Sequence, residues 1–317
     1  MTRRVVCGTL MVSVLGVVAV ARRQQPLFRG TGDVVRVFVT VTDRDGGLVT
    51  TLQQSNFEVR DEGKPQPITQ FDNTPQPVRL IVMLDVSGSM EGNLPLLRAA
   101  TAQLFARLRR DDLARLGWFG NEISISPSFT RNLDDLQNAL PGSIVPDAPT
   151  PLWRAVDEAL SAFGAEASDR RAVILVLSDG KDSGPMSFRQ RPMSQAEVIE
   201  RARKDDVMVY AVGMRSRSAR PRVPGPGVGG LQAMLLADMP DPGLARVAEE
   251  TGGGYIEIRY GQDLGAAFAR VAEEFHSQYL LGFTPPKRDG KTHEIGVKLN
   301  QSGLKPRARK SYVAPKS

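Results

Sequence analysis

A carboxylate and two hydroxyls recur at alternate positions in Asp85-Val86-Ser87-Gly88-Ser89, directly after the apolar run Leu80 to Leu84. Hard oxygen donors that leave a buried strand together suit a divalent cation or a phosphate. Gly88 allows the backbone to turn between them. Two more oxygen donors stand in comparable places. Thr150 precedes the segment PLWRAVDEAL, and Asp179 directly follows the apolar run AVILVLS. Neither a cysteine thiolate nor an imidazole occurs near these donors. The set therefore suits Mg2+, with Mn2+ and Ca2+ as alternatives, and argues against zinc or copper. Neutral hydroxyls leave such an ion electron-poor, with a coordination position for an acidic group from a partner.

The surrounding chain shows how these donors are carried. LIVML (80–84), AVILVL (172–177) and VMVYAV (207–212) are unbroken apolar runs, the texture of parallel strands covered on both faces. Helical periodicity alternates with them. Leu94, Leu97, Thr101, Leu104 and Leu108 share one face, with Pro95 suited to a first turn. Leu152, Val156, Leu160 and Phe163 make a second face, entered through Thr150 and Pro151. Ser194 and Glu197 read as a capping box for a third helix, and Leu264, Phe268, Val271 and Phe275 form a last face. The alternation predicts an α/β domain with a doubly wound, mostly parallel sheet over residues 79–278. In such sheets ligands sit at the carboxyl ends of the strands, where Asp85, Thr150 and Asp179 all fall.

The flanks read differently. Period-two patterning in VVRVFVTVTD and FEVRDEGKPQPITQF, and again in YLLGF, HEIGVKLN and RARKSYV, predicts short antiparallel strands over 33–78 and 279–317. Neither set has enough strands to close a core alone. Pooled, they would form a small β-sandwich into which the α/β domain is inserted. This requires the start of RLIVML and the end of the last helix to lie side by side.

The five donors resemble the von Willebrand factor A domain and its metal-ion-dependent adhesion site: D-x-S-x-S, then Thr, then Asp, in the same order and loops. The resemblance covers about residues 79–281 and implies that Asp85, Ser87, Ser89, Thr150 and Asp179 are the metal ligands. It further implies a protein partner that presents an Asp or Glu carboxylate to the ion. The flanking segments are similar to the VWFA-related family abundant in acidobacteria, whose members are predicted to be secreted.

Composition narrows the class. The N-terminus combines Arg3 and Arg4, an apolar stretch and an A-x-A ending at Ala21, which predicts a cleaved signal peptide over 1–21 and a secreted or periplasmic protein. Membrane attachment follows only if that segment stays uncleaved. Residues 22–32 read as a linker. Cys7, the one cysteine, lies in the signal, so the mature chain lacks disulfides and thiolate chemistry. Loss of Arg3 and Arg4 takes the net charge from +6 to +4, too mild a bias to point to nucleic acid. An aspartyl-phosphate enzyme would want an acid at position 87, where Ser87 stands. The two histidines, His276 and His293, lie away from the strand ends, and no catalytic triad pattern is visible. The expectation is a non-enzymatic, metal-dependent adhesion-type module. A structural component of an envelope assembly is the alternative, with a metal-dependent hydrolase behind it. Asp182 reads as solvated or capping, and Thr150 as a helix N-cap that doubles as a ligand. An insertion over 214–240, with GPGVGG (225–230), reads as a flexible loop, and its arginines would sit on the metal face.

Overall fold

The computed structural model describes residues 34–164, 168–184, 191–215, 240–259 and 263–316. The expected signal peptide and linker lie outside the described residues. So does the 214–240 insertion apart from its ends.

Three strands stand where the unbroken apolar runs predict them: β5 (Val78–Asp85), β8 (Arg171–Ser178) and β9 (Met208–Met214). They form the middle of a six-stranded sheet ordered β10-β9-β8-β5-β6-β7, with β6 at Leu113–Phe119, β7 at Ile123–Ile125 and β10 at Tyr255–Ile258. The first five strands run parallel and β7 closes the edge antiparallel. Alternate residues of β5 serve two cores. Leu80, Val82 and Leu84 pack on one side with α1 (Leu94–Phe105) and the last helix, α6 (Leu264–His276). Ile81 and Met83 pack on the other with α3 (Leu152–Ala162), α4 (Gln195–Lys204) and α5 (Pro242–Thr251). Each fully buried aliphatic side chain here contributes about 1.5–3 kcal/mol, which is why β5, β8 and β9 carry no polar face.

The capping box of α4 forms in both directions. Glu197 N–H donates to Ser194 Oγ at 3.3 Å, and Ser194 N–H donates to Glu197 Oε2 at 2.9 Å. Leu108 lies beyond the end of α1 and still packs against the core. A short helix, α2 (Leu133–Asn138), follows β7.

The flanking strands pool into two four-stranded sheets, each drawing on both ends of the chain. One is ordered β13-β1-β11-β4 and the other β14-β12-β2-β3. Here β1 is Val35–Thr42, β2 Phe57–Asp61, β3 Lys64–Gln66, β4 Gln70–Asp72, β11 Tyr279–Phe283, β12 Thr292–Leu299, β13 Lys305–Arg307 and β14 Ser311–Val313. Val35, Val37, Val39 and Val41 face a shared core with Val59, Leu281, Phe283, Ile295 and Tyr312. Phe38, on the opposite face of β1, joins the α/β core instead. That strand is covered on both sides, so its burial does not alternate cleanly.

The two chain crossings between sandwich and α/β domain lie together. Asp112 Oδ1 accepts from Val78 N–H at 2.9 Å, where β5 begins, and its Oδ2 lies 2.8 Å from Nε2 of His276, where α6 ends. Arg171 donates to the Phe275 carbonyl at 2.6 Å. Gln278 donates to Thr40 Oγ1 at 2.8 Å and to the Tyr210 hydroxyl at 3.2 Å.

Candidate metal centre

The sheet order reverses between β5 and β8, the place where a doubly wound sheet opens a crevice at its carboxyl edge. Asp85 ends β5 and Asp179 directly follows β8, so two carboxylates meet at that point. Both are almost wholly buried, at 0% and 1% exposure.

Hydrogen bonds join the first and third loops. Asp85 Oδ1 accepts from Ser87 N–H at 2.9 Å, and the Ser87 and Ser89 hydroxyls are 3.1 Å apart. Ser89 Oγ donates to Asp179 Oδ1 at 2.7 Å. Asp179 Oδ2 is buried and has no hydrogen-bond partner. Ser87 is buried and Ser89 exposed, so the donor set runs from the interior to the surface.

Thr150 comes to the same rim. Gly88 N–H donates to the Ala148 carbonyl at 3.1 Å. A Cβ on Gly88 would stand 2.6 Å from the Asp147 nitrogen. The glycine is needed for this close approach of two loops, and not only for the turn expected from sequence. On the other side, a Cβ on Gly180 would meet Thr150 Oγ1 at 3.0 Å, and Ser183 N–H donates to the Thr150 carbonyl at 2.9 Å. Thr150 thus sits between the D-x-S-x-S loop and the loop that carries Asp179.

Its expected second role is not seen. Pro151 occupies the N-cap of α3 and makes no side-chain cap bond. Asp182 serves the helix instead, accepting from Trp153 N–H at 3.2 Å. Asp182 is therefore the capping residue of the two readings considered for it, and the Thr150 hydroxyl takes no part in capping.

One contributor escapes sequence reasoning. Ser178, the last residue of β8 and fully buried, donates to Asp85 Oδ2 at 2.5 Å. A serine at the end of an apolar strand carries no signal of that contact. Each Asp85 oxygen thereby receives a hydrogen bond, which orients the carboxylate.

The electrostatics are those of two acids without a counter-charge. Burial pushes the Asp179 carboxyl up to about 7, the neighbouring Asp85 charge adds to this, and the Ser89 hydrogen bond opposes it. Burial likewise raises Asp85, against hydrogen bonds from Ser178 and Ser87. A buried carboxylate oxygen with no donor costs about 1–3 kcal/mol or more. A hard cation would relieve that cost and the repulsion between the two acids. The donors present are all oxygens, two of them charged, and fit such an ion. The histidines lie elsewhere: His276 pairs with Asp112, and His293 sits in the sandwich between Asp61, 3.0 Å from Nδ1, and Asp289, 3.2 Å from Nε2.

Residues 80–223 match the family model of the von Willebrand factor type A domain. The chain carries a von Willebrand factor type A domain. Its sheet and helices continue past the matched span, through β10 and α6. Similar solved structures include a von Willebrand factor type A protein from Catenulispora acidiphila, at 11% identity and TM-score 0.47, covering 92% of this chain and 76% of that one. BatB from Bacteroides thetaiotaomicron shares 15% identity at TM-score 0.45, covering 62% of this chain and 96% of its own. The pilus adhesin SpaC from Lactobacillus rhamnosus GG shares 11% identity at TM-score 0.43, covering 82% and 48%. No protein of curated function matches the chain.

Proposed function

We propose that this von Willebrand domain protein is an adhesion-type, protein-binding module of the cell envelope or its exterior that works through a divalent cation, Mg2+ first. The observation that carries the reading is the unpartnered, buried Oδ2 of Asp179 beside the buried carboxylate of Asp85. Ser87 and Ser89 would hold the ion directly, with Asp85, Thr150 and Asp179 holding it directly or through water. A bound divalent ion supplies an electrophilic centre for a carboxylate. The chain's part is to place two anionic and three neutral oxygen side chains around it, so that positive charge remains for an Asp or Glu of a partner protein. The exposed Ser89 lies on the side from which that partner would approach. Export rests on the N-terminal sequence alone, with its basic start, apolar stretch and Ala19-Val20-Ala21 ending.

Thermal unfolding with and without metal tests the site. Mg2+ or Mn2+ should raise the melting temperature and EDTA should return it to the starting value. At an ion concentration of a hundred dissociation constants, the gain is about 2.7 kcal/mol. Asp85→Ala should lose the shift while remaining folded. A full metal response in Asp85→Ala would refute the site.

A further inference from the structure

A second cluster of unsatisfied polar groups lies at the junction between the sandwich and the α/β domain. A cavity of about 20 Å³ is lined there by Arg171 at the start of β8, Arg203 on α4, Arg309 just before β14 and Ser311 at its start. The Nε atoms of all three arginines and the Oγ of Ser311 are buried without a hydrogen-bond partner.

The remaining guanidinium nitrogens are occupied. Arg171 bonds Gln278 and, at 2.6 Å, the Phe275 carbonyl, with its guanidinium 4.5 Å from the centre of the Phe38 ring. Arg203 pairs with Glu200 and reaches Glu250 at 3.5 Å. Arg309 pairs with Asp206 at 2.6 Å and bonds the Arg36 carbonyl at 2.6 Å. The bonds already made thus leave one nitrogen of each guanidinium, Nε, without an acceptor, and all three residues border a single cavity.

Four buried donors without acceptors would cost about 1–3 kcal/mol each. A space of roughly 10–15 Å³ already holds one water-sized occupant, so the cavity admits one small species. Water has only two lone pairs to offer and carries no charge. Two carboxylates, Asp206 and Glu250, line the cavity beside the three guanidinium groups. The third acid, Glu200, meets Arg203 from the surface with its side chain 64% exposed, where water screens its charge. A buried excess of positive charge calls for an anion.

We propose that this cavity is a binding site for a single small monovalent anion, chloride in solution, which accepts from the Arg171, Arg203 and Arg309 Nε–H groups and the Ser311 hydroxyl. Sulfate and phosphate are too large for it. Burial pulls the Arg171 pKa down to about 10, against the opposing influence of Tyr210, Asp206 and Asp112, so the group stays cationic at neutral pH. Arg309 and Ser311 belong to the sandwich segment, and Arg171 and Arg203 to the α/β domain. The anion therefore ties the two together.

The experiment has two arms. Thermal unfolding is measured in sodium chloride and in sodium gluconate at equal ionic strength, for the wild type and for Ser311→Ala. Chloride should give the wild type the higher melting temperature, and Ser311→Ala should shrink the difference. Crystals grown in sodium bromide are then measured at the bromine absorption edge. An anomalous peak inside the cavity is the expected result. An ordinary water there with no anomalous signal overturns the proposal, as does a wild type indifferent to the choice of anion.

Discussion

The Nε2 of His276 lies 2.8 Å from Oδ2 of Asp112, although 164 residues separate them. The same carboxylate accepts from the backbone N–H groups of Val78 and Arg109 at 2.9 and 2.6 Å. One side chain thus holds the point where the chain enters the α/β domain against the point where it leaves. Because the acid is fully buried, its loss strands three polar groups together. Asp112→Ala should cost about 3–5 kcal/mol, measured by urea unfolding. The pH dependence has a definite sign. Burial pushes the Asp112 pKa up, but the His276 hydrogen bond and the two backbone N–H groups outweigh it, and the carboxyl titrates below its ordinary 3.8. A depressed pKa gives stability that is intact above the ordinary value and lost as pH falls through the folded one. The gap between wild type and variant should be full at neutral pH and close in strong acid.

Ser178 is expected to govern metal affinity without touching the ion. Its hydroxyl fixes the Asp85 oxygen that Ser87 does not. Removal of such a partner behind a ligand typically weakens metal binding about 10–100-fold. Calorimetric titration of Ser178→Ala with Mn2+ should show that loss with a folded protein. Unchanged affinity would mean that Asp85 is held by other means.

Gly88→Ala addresses the meeting of the loops. The added Cβ would lie 2.6 Å from the Asp147 backbone nitrogen, so the loops must part. Overpacking of this kind costs about 1–3 kcal/mol. The variant should both melt earlier and bind Mn2+ more weakly, since Thr150 follows directly on the displaced turn. A stable variant with normal metal binding would show that the approach of the loops is dispensable.

Asp182→Ala serves as the contrasting substitution. This acid is near the site in sequence, yet its oxygens accept from Trp153 N–H and Gly184 N–H. Loss of the cap should cost about 0.5–2 kcal/mol and leave the Mn2+ dissociation constant unchanged. A large fall in affinity would add Asp182 to the donor set.

What the sequence made legible follows from what lies in local spacing. The three central strands carry no polar face and announce themselves. Asp85, Ser87, Ser89 and Asp179 stand out because charged or hydroxyl residues follow such runs directly. β6 is harder to read. Arg115 interrupts its apolar pattern, and only the structure shows that its side chain is anchored to the Ser126 and Ala162 carbonyls at 2.6 and 2.7 Å. Ser178 and the pairing of Asp112 with His276 are invisible for a different reason. A hydrogen bond between residues far apart in the chain leaves no trace in the spacing of either. For Asp182 the sequence offered capping as one of two readings, but not which helix it caps, since that helix lies some thirty residues earlier in the chain.

The antiparallel pairing of β1 with β13 and β11 has a mechanical consequence. Tension between whatever precedes Val35 and whatever follows Val313 meets the sandwich ladders before it meets the α/β domain. The six-stranded sheet that carries Asp85 hangs beside that line of load. It stays slack until the ladders shear, so a partner gripped at Ser89 would be pulling on a different set of bonds from those strained by a tug on the chain itself.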